Sequence, residues 1–581
     1  MKPLYLIDGI SPFFRGYSRF KINWSKLPWN RLDALTPEEW EPFFSQLRVD
    51  LETFVKKAKE TGYTAITLDD VAHLALHPAY EREVRETIEA YRSEFRQLFS
   101  LIQDQELDVY ITMDVLSLTP GLKDYLGGKE GKPLTENTVN KFIVELFDQF
   151  FIDFPEVNGL ILRIGESDGL DIKETFRSVL HLRSPIMVNT CLKAVLPVFE
   201  KHRRTCIFRT WTVGAHQVGD LIWRDSTLKR AVAGIESESL VLSMKFGETD
   251  FFRHLPLNRN FFLTNLPTIV ELQCRREYEG CGEYPCFVGK DYQDYANELR
   301  QAPNFVGISV WCQTGGWTPF RRLAFLEDEA IWTDINSWVT LRLFRYGDSV
   351  ESAITSFPKC LPEHEFAWIE LLRLSEEVIK ELLYIEEFAK HTLYFRRIRV
   401  PPLLGATWYN LFITDAIRST LGHFIDDSES SIRIGYAALS KIARMKELAE
   451  ECDLPVADVQ YMEDSFAIIA LGREYLLGDG KDEAIQKKLK KAKKNYKKKY
   501  PRNSRFRYAV KLDFKPFPVD AKHIAWFFRY FVRGERRYRL VDRLFLTHFL
   551  SLSWWFLQKT RPKAIPKFVR KSAMGIETIF K

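Results

Sequence analysis

Short apolar, β-branched or aromatic runs recur through the first 311 residues, spaced widely enough for a helix to lie between most of them. They are Leu4–Asp8, Tyr63–Asp69, Leu107–Met113, Gly159–Ile164, Thr205–Trp211, Leu240–Lys245, Thr268–Cys274 and Phe305–Trp311. Each is largely apolar along its whole length, the pattern of a strand buried on both faces of a parallel sheet. The intervening segments, such as 39–62 and 81–106, carry apolar residues at helical spacing. Eight strands alternating with helices predict βα units closing into a (β/α)8 TIM barrel. An open doubly wound sheet is the alternative. No G-x-G-x-x-G turn follows the first run, so a dinucleotide fold has no support.

Beyond about residue 350 the texture changes. The stretch 365–398 reads as long amphipathic helix, and helical patterns continue with few strand signals. The expected organisation is a barrel over 1–350 and a mainly α-helical C-terminal domain over 351–581. A chain of 581 residues is longer than one hydrophobic core usually organises, which fits two units. Nine Lys fall between Lys487 and Lys499. They read as a solvated helix face rather than a polyanion site, because no groove-reading pattern accompanies them.

Composition narrows the classes. With 83 basic against 78 acidic side chains the net charge is +5, too mild for a dedicated nucleic-acid binder. Aromatic residues make up 14% of the chain, which suits a large core and equally suits sugar-stacking clefts. Eight irregularly spaced Cys predict reduced thiols rather than a disulfide framework. The spacing of Cys274, Cys281 and Cys286 matches no standard zinc pattern, so no metal or other cofactor is expected. No segment reaches transmembrane length and no signal-like run opens the sequence, which predicts no membrane partner and a cytoplasmic location by default.

A (β/α)8 barrel places its chemistry at the C-terminal ends of its strands, so the residues closing each run matter most. In order they supply Asp69 and Asp70; Asp114; Arg163 followed by Glu166; Arg209 with Trp211; Lys245, then Glu248 and Asp250; Arg275, Arg276 and Glu277; and Trp311 with Trp317 beyond. Hydrolysis of a glycosidic bond needs two carboxyl groups in different protonation states, and this mouth offers several. Arg163, Arg209 and Lys245 add cations suited to an anionic group such as a uronate, and Asp70 and Trp317 complete the expected substrate-binding set. Taken singly, each charge is more often a structural ion pair.

The stretch from Thr205 to Tyr278 resembles the α-glucuronidases of glycoside hydrolase family 67. Phe208-Arg209-Thr210-Trp211 is similar to the family's WRAF-like strand end, and Trp223-Arg224-Asp225 to its W-R-D. The runs Met244-Lys245-Phe246-Gly247-Glu248-Thr249-Asp250-Phe251 and Glu271 to Gly280 match two further motifs in order, as does Thr264-Asn265. Arg15-Gly16-Tyr17 and Leu341-Arg342-Leu343-Phe344 extend the likeness across roughly 1–350. The resemblance implies an inverting hydrolase in which Glu166 is the general acid while Asp250 and Glu277 orient and deprotonate water. It implies that Lys245 and Arg209 hold the substrate carboxylate, and that the helical region builds a homodimer interface. Departures are visible. Arg163 stands in for a lysine near the acid with a one-residue gap, which keeps Asp168 in reserve, and the family's N-terminal domain has no counterpart here. The expected function is inverting exo-hydrolysis of a glycosidic bond to glucuronic or 4-O-methylglucuronic acid in an oligosaccharide. The alternatives are a barrel glycosidase of altered sugar specificity and a non-catalytic carbohydrate-binding barrel.

Overall fold

The computed structural model describes residues 2–17, 27–127, 134–165, 175–212, 214–315 and 322–390. It also describes most of 393–516 and parts of 523–560. Eight parallel strands close into a barrel: β1 Leu4–Asp8, β2 Ala65–Asp69, β3 Asp108–Asp114, β4 Val157–Arg163, β5 Thr205–Arg209, β6 Leu240–Lys245, β7 Thr268–Gln273 and β8 Phe305–Trp311. Neighbours in sequence are neighbours in space, and β8 closes on β1 through the register Leu4 to Gly307. At that seam a Cβ on residue 307 would stand 1.8 Å from the Leu4 carbonyl oxygen, and φ there is +156°, so only glycine fits.

The fold and eight-strand count match the sequence expectation. Boundaries shift by a residue or two: β2 starts at Ala65 rather than Tyr63, because the Tyr63 N–H still closes the preceding helix on the Ala58 carbonyl at 3.0 Å. The outer ring is built from amphipathic helices, among them α1 (Pro37–Thr61), α2 (Arg82–Asp104), α3 (Glu136–Asp153), α4 (Pro185–His202), α5 (Asp225–Ala231), α6 (Gly289–Leu299) and α7 (Ile331–Leu341). In α1 the buried set Phe44, Leu47, Leu51, Phe54, Val55 and Ala58 follows the three-and-four spacing of one helix face. After β6 the chain makes only a one-turn helix, Asn260–Leu263, so the loop before it is long and free to carry side chains over the barrel mouth.

The region after residue 350 is mainly helical. Its principal helices are α8 (Glu365–Val378, continued by a wide turn to Leu383), α9 (Ser428–Glu451), α10 (Val456–Leu477) and α11 (Glu483–Lys499). It also holds a small three-stranded sheet of Ala406–Thr407, Asn410–Thr414 and Ala509–Asp513. The lysine run lies on α11, which buries Ile485, Leu489 and Tyr496 while eight of its nine lysines are exposed.

One buried acid gives this fold a pH signature. Asp334 in the first turn of α7 accepts from the Phe325 backbone N–H at 2.9 Å. Burial pushes its pKa up from 3.8 to about 7, against the lowering effect of that N–H. A folded pKa above the unfolded one contributes stability that is full below about pH 4 and lost as pH rises through about 7. Asp334→Asn keeps the acceptor and removes the titration. The variant is expected to gain on the parent by roughly 2–4 kcal/mol between about pH 5 and about pH 8, read from urea midpoints at the two values.

Candidate functional site

Alternate side chains of a barrel strand face the lumen. Leu4, Leu6, Ala65, Tyr110, Ile161, Ile207, Val241 and Ile269 form one interior cluster that fills the base of the barrel. Moving two residues at a time along the same strands replaces these apolar groups by Asp69, Asp114, Arg163, Arg209, Ser243, Lys245, Glu271 and Gln273. The polar set is thus the continuation of the core stack at the C-terminal end.

Its lower layer is a fixed ion pair. Arg209 donates Nε and Nη2 to the two oxygens of Glu271 at 2.7 and 2.8 Å, and the Ser243 hydroxyl donates to Glu271 at 2.7 Å. Burial works to raise the Glu271 pKa, but the Arg209 charge, with Lys245 adding to it, holds the carboxyl below its ordinary value. Arg209 is 3% exposed, and its guanidinium lies 4.8 Å from the centre of the Trp311 ring. On the opposite side Arg163 pairs with Asp114 at 2.8 Å and approaches Asp69 at 3.9 Å. Asp70 accepts from the backbone N–H of His73 at 3.1 Å and lies 2.7 Å from its Nδ1.

The upper layer is built around Asp250. One carboxylate oxygen accepts from Lys245 Nζ at 2.5 Å and from the Phe251 N–H at 3.0 Å, and the other accepts from the Tyr278 hydroxyl at 2.7 Å. Lys245 sits in an aromatic box, its Nζ 3.5 Å from the Trp211 ring centre, 4.4 Å from Phe251 and 5.6 Å from Trp311. Glu277 enters from the β7 loop, its backbone N–H donating to the Gln273 side-chain oxygen at 2.9 Å. Its carboxyl lies against Gly315: a Cβ there would stand 3.2 Å from Glu277 Cδ and 2.2 Å from Gln273 Nε2, and φ is +96°. Gly315→Ala is therefore expected to displace Gln273 and Glu277 together. The forecast is a loss of about 1–3 kcal/mol in stability by urea unfolding, with Gly214→Ala, also at positive φ but in the loop after β5, as comparison.

Two of the loops that carry this layer are anchored from behind. Arg253, three residues after Asp250, is buried and donates to both oxygens of Glu279 (3.1 and 3.2 Å), to Asp291 (2.9 Å), to Glu376 of α8 (3.4 Å) and to the Phe287 carbonyl (2.6 Å). Glu279, two residues after Glu277, also takes a fork from Arg276 (2.6 and 2.9 Å), the Tyr384 hydroxyl (2.9 Å) and Cys286 Sγ (2.9 Å). Burial would raise the Glu279 pKa, but Arg253 and then Arg276 hold it far below the carboxylate range. Arg276 therefore points away from the mouth and serves this cluster. Arg322 binds Asp458 of α10 through both Nη atoms (2.6 and 2.7 Å) and reaches Glu283 at 3.3 Å, tying the same β7 loop to a second helix.

Of the residues the sequence singled out, Lys245, Asp250, Glu277, Trp211 and Trp311 come together at one end of the barrel. Arg163, Arg209 and Asp70 line the same end, each with an ionic or hydrogen-bonding partner. Glu166, Asp168 and Trp317 lie outside the described residues. Tyr278, Gln273, Phe251 and Gly315 belong to the site although only their place in motifs, if anything, marked them. Trp223 of the W-R-D motif is buried core, 1% exposed. All eight cysteines are buried and none is in a disulfide, and no group of three or more His, Cys, Asp or Glu suited to a metal occurs among the described residues. A separate cavity of about 570 Å³, lined by Asp225, Lys229, Glu238, Asn260 and Pro267, opens near the N-terminal ends of β6 and β7, away from these carboxylates.

No family model and no curated protein matches this chain in sequence. Among solved structures it is similar to a GH138 enzyme targeting pectin rhamnogalacturonan II, at 13% identity and a TM-score of 0.49 over 86% of this chain; the chain spans 62% of that enzyme's length. It is also similar to the β-mannanase of the blue mussel Mytilus edulis (12% identity, TM-score 0.34, 60% of this chain and 94% of that one). A D-allulose 3-epimerase from Methylomonas sp. is comparable (9% identity, TM-score 0.33, 60% and 98%). The neighbours thus include glycoside hydrolases and an isomerase, and the likeness is one of fold. Fold and site define a (β/α)8 barrel with a polar, aromatic-walled mouth.

Proposed function

We propose that this chain is a barrel glycosidase, α-glucuronidase-like, which cleaves the glycosidic bond of an acidic sugar with inversion. The observation that carries the reading is Asp250 at the strand ends, its two oxygens held by Lys245, Tyr278 and a backbone N–H, beside Glu277 and the rings of Trp211 and Trp311. A carboxylate fixed in this way accepts a water proton along a set direction, and the neighbouring Glu277 shares the orientation of that water. The acid role falls to Glu166 on the family resemblance. Inversion requires acid and base carboxyls about 6.5–9.5 Å apart, with room for water between them. The aromatic walls exclude solvent and offer a face to the sugar ring.

A second reading, a glycosidase for a neutral or otherwise modified sugar, has its own support. Each cation expected to hold a uronate already has a carboxylate partner: Arg163 with Asp114, Arg209 with Glu271, Lys245 with Asp250. Proton NMR of the protein with glucuronoxylo-oligosaccharides, following anomeric signals from the first minutes, tests both. Prompt β-glucuronic acid from an α-linked substrate, abolished in Glu166→Gln, supports the first. Release from a neutral-glycoside panel and none from uronides supports the second. No release from either panel by the folded protein sinks both and leaves a carbohydrate-binding barrel.

A further inference from the structure

Charge is distributed unevenly along this chain. Residues 521–581 hold 14 Lys and Arg against 3 Asp and Glu, a net +11, so the preceding 520 residues carry −6 of the overall +5. The same 61 residues contain 13 aromatics. Among its described positions, Leu544, Phe549, Leu552, Trp555, Phe556 and Leu557 are between 38% and 64% exposed, and Trp526 is 72% exposed. Elsewhere in the described residues, exposed large apolar side chains stand singly or in pairs. Such a concentration of apolar surface marks an interaction site.

We infer that the segment around the helix Leu550–Thr560 docks on an anionic lipid surface, lying in the plane of the interface. Three features point there. The exposed side chains mix aromatics with leucines, and a phosphate or glycan polymer offers nothing to bury a leucine against, whereas the acyl boundary does. Lys559 Nζ lies 4.4 Å over the Trp555 ring, the arrangement of a cation kept at the polar level above an apolar anchor. The sequence of this 61-residue stretch carries a net +11, which an anionic headgroup layer complements and a second copy of the same stretch does not. No helix among the described residues is long and apolar enough to cross a membrane, and an interfacial helix has no need to be. The expectation of no membrane partner rested on spanning length and on the lack of a signal-like opening run, and neither reports a segment of this kind. The inference stands independently of the glycosidase reading.

The test is flotation of the full chain with unilamellar vesicles of phosphatidylcholine alone or mixed with phosphatidylglycerol. The protein is expected to float with the mixed vesicles only, less so as salt rises. The double substitution Trp555→Asp/Phe556→Asp should weaken this at least about tenfold and Lys559→Glu about two- to threefold. Both sites are exposed, and circular dichroism confirms that the fold is kept. Absence of flotation with mixed vesicles at low salt overturns the inference, as does equal flotation of the double variant. A dimer by light scattering that the double substitution converts to monomer, without vesicle binding, assigns the face to a second copy instead.

Discussion

Arg253→Met is expected to lower the unfolding free energy by about 3–5 kcal/mol, among the largest effects of any single substitution in the barrel. The side chain is buried and its guanidinium serves three carboxylates, Glu279, Asp291 and Glu376, together with the Phe287 carbonyl. Methionine fills similar volume, so the cost comes from the anions left behind rather than from a void. Glu279 retains Arg276 and Tyr384, and Asp291 retains Lys380, but Glu376 loses its direct cation contact and keeps the backbone N–H groups of Lys290 and Asp291 with the more distant Lys380 charge. Burial, then the Asp291 charge, already push the Glu376 pKa up, so it is the group that will take a proton. Adding Glu376→Gln to Arg253→Met should recover part of the loss. Urea unfolding of the four members of this cycle measures the coupling. Equal stability of Arg253→Met and parent would mean that the cluster contributes nothing net.

On the proposed glycosidase reading, the largest effect on turnover is expected from Asp250→Asn. The amide oxygen can still accept from Lys245, while an NH2 replaces the oxygen that accepted from Tyr278; neither takes a proton from water, and a lost general base costs on the order of 10²–10⁴ in rate. A fall in kcat of about 10³ is expected with KM changed little, and stability should drop by about 1–3 kcal/mol because the buried Lys245 loses its carboxylate partner. Tyr278→Phe removes one of the three hydrogen bonds to the same carboxylate and should cost only about tenfold. If Asp250→Asn retained full turnover on a substrate of the parent, the proposed base would have to be sought elsewhere in the mouth.

The strands were legible because a parallel barrel buries both faces of each one, leaving short apolar runs that stand out against amphipathic helices. The ends of those runs also marked the mouth, and with it Lys245, Arg209 and Arg163. Pairing was not legible. Arg209 and Glu271 are 62 residues apart and meet only because β5 and β7 flank β6, so the sequence offers Arg209 equally to a substrate and to a structural partner. Arg276 and Glu277 are adjacent in sequence, yet a left-handed backbone at Arg276 (φ 56°) turns the cation toward Glu279 and α8. Tyr278 carries no signal of its own beyond its place in a motif. The small sheet within the helical region escaped because its parallel pairing, Asn410 to Ala509, joins strands about a hundred residues apart with the long helices α9, α10 and α11 between them, and no local pattern reports such a pairing.

The cluster around Arg253 and Glu279 also sets an order of events. All eight strands, and every described side chain of the mouth, come from the first 315 residues, but Glu376, Tyr384 and Asp458, which clamp the loops bearing Asp250 and Glu277, are made later. Even the clamp has a clamp, since Arg473 of α10 donates to the carbonyls of Leu382 and Tyr384 at 2.8 and 2.6 Å. A chain emerging from the ribosome can therefore close its barrel while the mouth is still loose, and the site comes to its working shape only once some 470 residues are out. Synthesis itself acts as the timer on competence.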